Sequence, residues 1–225
     1  MSFSVLIFAA ASIYTAACSG RSSTEPSSGA AVTYQGVFVT GKENGTLTLV
    51  MGSPASGTLK VTGGSTVGLS GTYTPATSTF ALAGAGYTVK AAVNGAAEVT
   101  GTVTSTGAPT GGTMAALIST TARQTYCGQY FQTNPPVGVP ADSGVWLFVI
   151  NTTVVAGVAS SQISNSNSYP SFTLAGTSVR GVINLSWATP KGRGSASGIF
   201  HPNPEGVWDN GVDVHGIWYT DSCSP

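Results

Sequence analysis

The most chemically suggestive fragment of the chain is Asp213-x-His215, close to its end. Residues two apart on a strand point the same way, so the carboxylate could orient the imidazole or share a metal ion with it. A small hydrolase using His215 and Asp213 would also need a nucleophile, and no recognisable one accompanies them. His201 lies in His201-Pro202-Asn203-Pro204, a rigid loop, and reads as a capping or solvated residue rather than a zinc ligand. Asp209-Asn210-Gly211-Val212-Asp213 faintly suggests a calcium loop but lacks the further ligands and distal glutamate of an EF-hand. A type I′ turn at Asn210-Gly211 explains the same residues. Lys191-Gly192-Arg193-Gly194 lacks P-loop spacing and reads as a polar hairpin tip. The expectation is a non-enzymatic chain with no catalytic residues, no metal and no cofactor.

Aromatic residues offer a different chemistry. Trp146, Phe148, Trp187 and Trp218 fall inside apparent strands of the second half, whereas Trp208 reads as a loop residue. Such rings can line a small-molecule site, and they can equally fill an interior. A carrier of a small apolar ligand would place that ligand in the second half, because the first half has no tryptophan.

The three cysteines divide between two roles. Cys18 ends an apolar run, Val5-Leu6-Ile7-Phe8-Ala9-Ala10-Ala11-Ser12-Ile13-Tyr14-Thr15-Ala16-Ala17, and a polar spacer follows it. Small residues directly before a cysteine, at Ala16 and Ala17, resemble the lipobox of bacterial lipoprotein signal peptides. That resemblance implies cleavage before Cys18, lipidation of Cys18 and anchoring to a membrane. The serine after the cysteine implies the outer membrane of a bacterial cell envelope. An ordinary secretory signal with an incidental Cys18 is the alternative, and the run is shorter than the ~20 residues of a spanning helix. In an exported, oxidising compartment Cys127 and Cys223 form an even pair, for which a disulfide is the default.

Composition narrows the partners. Charged residues make up 7% of the chain and the formal net charge is zero. Phosphate-mediated nucleic-acid binding needs a basic stripe, and the sequence has none. What remains is a membrane partner through Cys18 and a protein or small apolar ligand as cargo or contact. Glycine, with 30 of 225 residues, is well above the usual ~7%.

From Thr33 onward nearly every segment alternates apolar and polar residues with period two, the mark of half-buried strands. Leu47, Leu49 and Met51 oppose Thr46 and Thr48, and Ile183, Leu185 and Trp187 oppose Asn184 and Ser186. Turn signals such as Asn94-Gly95 and Gly111-Gly112 recur between the runs. The halves also look like copies. Tyr34-Gln35-Gly36-Val37-Phe38 matches Tyr126-Cys127-Gly128-Gln129-Tyr130, and Phe80-Ala81-Leu82-Ala83-Gly84 matches Phe172-Thr173-Leu174-Ala175-Gly176, both at an offset of 92. Gly45 to Met51 resembles Gly144 to Ile150 as if residues 134–140 had been inserted, and Val99 to Val103 pairs with Ala196 to Phe200.

These patterns predict an all-β chain of two tandem antiparallel up-and-down β-barrels, about eight short strands each, with paired β-sandwiches as the alternative. The expected boundaries are residues 1–17 for the signal peptide, 18–32 for a flexible tether, 33–120 for the first barrel and 121–225 for the second. A bond from Cys127, in the first strand of the second barrel, to Cys223, just past its last, would staple the barrel seam. The region from Tyr34 resembles tandem barrel repeats of uncharacterised bacterial lipoproteins, loosely similar to lipocalin- or avidin-type barrels. That resemblance implies the fold and carries over no ligand residues.

Overall fold

A computed structural model describes residues 31–95, 98–162, 171–189, 192–211 and 213–223. The readings that fall on residues 1–30, Cys18 among them, lie outside the described residues.

Alternation becomes strand throughout. The first half contains β1 (Thr33–Val39), β2 (Asn44–Val50), β3 (Ala55–Val61), β4 (Thr66–Thr74), β5 (Thr79–Gly84), β6 (Tyr87–Asn94), β7 (Glu98–Ser105) and β8 (Ala108–Ile118). The second contains β9 (Arg123–Gln132), β10 (Ser143–Asn151), β11 (Val154–Ser161), β12 (Ser171–Val179), β13 (Val182–Thr189), β14 (Gly192–Phe200), β15 (Pro204–Asp209) and β16 (His215–Ser222). Each set pairs antiparallel in sequence order and closes on itself, β8 on β1 and β16 on β9. Closure removes the sheet edges, and it settles the choice against sandwiches. The chain is two closed eight-stranded barrels in tandem.

The glycine content has a steric cause. An eight-stranded barrel is only just wide enough to be filled by side chains, so a large inward residue needs a small neighbour. Trp146 is paired with Gly128, Tyr130 with Gly144 and Phe148 with Gly157. Trp187 is likewise paired with Gly194, Trp208 with Gly216 and Trp218 with Gly206. In the first barrel Phe38 meets Gly45, Leu47 meets Gly36 and Leu82 meets Gly71. The approach is close: a Cβ added to Gly194 would lie 2.1 Å from Trp187 Cζ2, and one added to Gly198 would lie 2.4 Å from Trp218 Cζ2.

Both barrels have apolar interiors. Tyr34, Phe38, Leu49, Leu59, Phe80 and Met114 belong to the core of the first, and Trp146, Phe148, Leu174, Ile183 and Trp218 to that of the second. The outer faces of β2 to β4 present Thr46, Thr48, Thr58, Lys60, Ser70 and Thr72. This is the inverse of a membrane-spanning barrel, which is apolar outside and polar within.

A third apolar cluster joins the barrels. Val37 and Val39 of β1 and Ala115 and Leu117 of β8 point outward and pack with Leu147 and Val149 of β10 and Ala156 and Val158 of β11. These eight residues are at most 2% exposed. Polar ties surround them: the Asn151 amide donates to the Ile118 carbonyl (3.0 Å), and the Thr113 and Ser171 hydroxyls lie 2.7 Å apart.

Three sequence expectations need correction. Trp208 belongs to β15 and is buried, not in a loop; a strand this short shows too little alternation to be read. Asn210-Gly211 is not a type I′ turn, because that turn needs positive φ at both residues and only Gly211 has it (75°). The Gly211 N–H instead meets the Asp209 carboxylate, and the Asn210 N–H reaches on to the Val214 carbonyl, closing a wider loop. Finally, two of the matches between halves are displaced by one strand. Phe80 lies in the fifth strand of its barrel and Phe172 in the fourth, while Val99 lies in the seventh and Ala196 in the sixth. The matches of β1 with β9 and β2 with β10 are in register, and residues 134–140 do form a longer loop between β9 and β10.

Candidate functional site

The disulfide forms at the seam. Cys127 lies in β9 and Cys223 directly follows β16, with Cα atoms 4.9 Å apart and a sequence separation of 96. Register explains the fit, because Asp221 of β16 pairs with Cys127 across the closing strands. The Cys223 N–H then donates to the Thr125 carbonyl at 3.0 Å, continuing the ladder past the end of β16.

The Asp213 and His215 fragment is not held as alternate residues of one strand. β16 begins at His215, and Asp213 lies ahead of it in a turn with φ of 59°. Asn134 secures this stretch through its amide, which donates to the Asp213 carbonyl and accepts from the His215 N–H at 2.9 Å. Both side chains are exposed. Among the described residues no three His, Cys, Asp or Glu side chains are grouped to hold a metal ion.

The four aromatic residues singled out in the sequence are brought together. Trp146 stacks on Trp218 with ring centroids 6.0 Å apart, and Trp187 and Phe148 meet this pair edge-on at 5.8 Å. Trp146, Phe148 and Trp218 are at most 1% exposed, and Trp187 is half-buried. These rings occupy the interior by packing on one another and on Tyr130, which in turn meets Trp208. The Trp218 indole donates to the Val207 carbonyl at 3.1 Å, whereas those of Trp146 and Trp208 are buried without a protein acceptor. At the end of the barrel the Tyr130 hydroxyl donates to Asp142 (3.1 Å), which also accepts from Ser161 (2.6 Å). Burial, reinforced by the Asp142 carboxylate, pushes the Tyr130 hydroxyl far above the usual phenol range.

What the sequence did not single out lies on the outside of the second barrel. Val182, Ile199, Val207, Ile217 and Tyr219 point outward and are 43–56% exposed. They adjoin across the ladder: Val182 pairs with Ile199, Val207 with Ile217, and Ile217 with Phe131. Phe131 stacks on Tyr219 at 5.8 Å, so the patch continues over the seam onto β9. Glu205 is the one charged residue lining the shallow groove between these side chains. The signal was present in the sequence as adjacent apolar residues, Ile199-Phe200, Val207-Trp208 and Ile217-Trp218-Tyr219. At least one of each set must face away from a single packed interior. No protein-family model matches the chain, and no curated protein matches it.

Proposed function

We propose that this protein is an exported, membrane-anchored binding module that docks a protein partner on the outer face of its second barrel. One observation carries the reading. In the first barrel the outer face of β1 and β8 is covered by the second barrel, through Val37, Val39, Ala115 and Leu117. The strands occupying those places in the second barrel are β9 and β16, and their outer face is open at Ile217 and Tyr219, with Phe131 half-buried beside them. The same architecture thus presents a docking face twice, once occupied and once not. Clustered exposed apolar residues of this kind mark protein interaction sites.

The occupant is an apolar sheet face of a different protein. Head-to-tail docking of a second copy would use the counterparts of β10 and β11, which are β2 and β3. Their outer face is Thr46, Thr48, Val50, Ser56, Thr58 and Lys60, and its single valine is too little to complement the apolar patch. The Cys18 motif supports lipid anchoring at the outer membrane, and the Cys127–Cys223 bond supports an oxidising compartment. A packed interior favours this reading over an apolar-ligand carrier, and the separation of Asp213 from β16 disfavours a hydrolase using His215.

A photo-crosslinker placed at Val207 in the native cell envelope tests the proposal, with Thr58 on the first barrel as the control position. The expected result is one defined adduct from Val207, none from Thr58, and loss of the adduct with Ile217→Lys while melting stays unchanged. Adducts containing only a second copy of this chain would refute the hetero-partner reading. Cys18→Ser is expected to move the protein from the membrane to the soluble fraction. Continued membrane association with normal cleavage would refute the anchor.

A further inference from the structure

From the junction of the two barrels, away from the apolar face of β14 to β16, we infer that the chain binds a small hydroxylated monocarboxylate beside Arg123. A cleft of about 220 Å³ opens there, lined by Gln35, Thr46 and Thr48 of the first barrel, Arg123 and Thr125 of the second, and Cys223 of the disulfide. Arg123 opens β9, and its Nε is buried without a hydrogen-bond partner. Among the described residues no carboxylate lines the cleft and none is paired with this guanidinium. Partial burial lowers the proton affinity of Arg123 from its ordinary value, because desolvation disfavours the charged form.

The remaining walls determine the ligand. The Gln35 side-chain carbonyl accepts from Ser119 (2.9 Å), which leaves its amide as a donor, and among the described residues none engages the hydroxyls of Thr46, Thr48 and Thr125. One planar cation matches one carboxylate, which it grips with two parallel hydrogen bonds. Several neutral donors and acceptors around it match hydroxyl groups. The volume corresponds to about seven waters at ~30 Å³ each, which is room enough for glycerate. A phosphate dianion would bring a second charge with no second cation to meet it.

Titrating the purified full chain with sodium glycerate, while following the arginine Nε–Hε NMR signals, tests the site. Of the four arginines, only Arg123 is expected to respond, with a saturable shift at millimolar ligand. Arg123→Gln is expected to weaken glycerate at least tenfold, and Arg123→Lys to retain part of the affinity by keeping the charge without the fork. Thr48→Val is expected to weaken glycerate at least threefold and leave acetate unchanged. Because it preserves shape in a polar wall, it also serves if an Arg123 variant fails to fold. Non-saturating shifts, equal affinity in wild type and Thr48→Val, or tighter binding of inorganic phosphate than of glycerate would each overturn the inference.

Discussion

Truncating Leu147 to alanine should destabilise both barrels at once. Leu147 lies in the second barrel but points outward, 1% exposed, into the cluster it shares with Val37, Val39, Ala115 and Leu117 of the first. Parting the barrels would uncover six buried valine and leucine side chains. At ~1.5–3 kcal/mol each that costs roughly 9–18 kcal/mol, an upper figure because the area reference is generous. Typical total stabilities are ~5–15 kcal/mol, so the barrels should not part before they unfold. A buried Leu→Ala change costs ~2–5 kcal/mol. At ~2–4 °C per kcal/mol for a unit of this size, a loss of ~3 kcal/mol lowers the melting temperature by about 6–12 °C. Tryptophan fluorescence reports only the second barrel, which holds all four tryptophans, and hydrogen exchange of β3 to β6 reports the far side of the first. Both readouts should fall together. A lowered fluorescence transition with unchanged exchange in β3 to β6 would refute the coupling and leave two independently unfolding domains.

Other outcomes follow from the same structure. Reducing the Cys127–Cys223 bond releases a loop near 100 residues, whose closure is worth up to about 4.7 kcal/mol in the chain-entropy model; calorimetry should show one cooperative transition shifted downward, and two separating transitions would contradict it. Gly198→Ala, where the new Cβ meets Trp218, should cost ~1–3 kcal/mol, whereas Gly68→Ala, with nothing within 4 Å, should be neutral or slightly stabilising in denaturant titrations. Burial raises the Glu98 carboxyl above its ordinary value, so the folded state holds that proton more tightly than the unfolded one and loses stability as pH rises past the unfolded pKa. Glu98→Gln should therefore raise the melting temperature at pH 7 and give no gain near pH 3; an equal gain at both would exclude desolvation as the cause.

The sequence alone determined the all-β class, the number of barrels and the place of the disulfide, though it left Trp208 in a loop and read Gly111-Gly112, inside β8, as a turn. Those properties follow from period-two alternation and from closure, which makes the first and last strands neighbours and so brings Cys127 to Cys223. It did not determine which strands of the two halves correspond. Every strand of such a meander repeats the same alternation of glycine with apolar residues, so Phe80 matches Phe172 as well as any true counterpart would. Nor could it distinguish the two sides of β10. Val145-Trp146-Leu147-Phe148-Val149-Ile150 is apolar without interruption, which signals a strand buried on both faces. Only the tertiary structure shows that Trp146, Phe148 and Ile150 enter the barrel while Leu147 and Val149 meet its neighbour. The adjacent apolar residues of β14 to β16 showed that some must face outward, but not that the face of Ile199, Val207, Ile217 and Tyr219 stays uncovered. The cleft at Arg123 was hidden because it gathers residues of β1, β2 and β9, far apart in sequence. Which face of a strand is covered depends on what the folded chain lays against it.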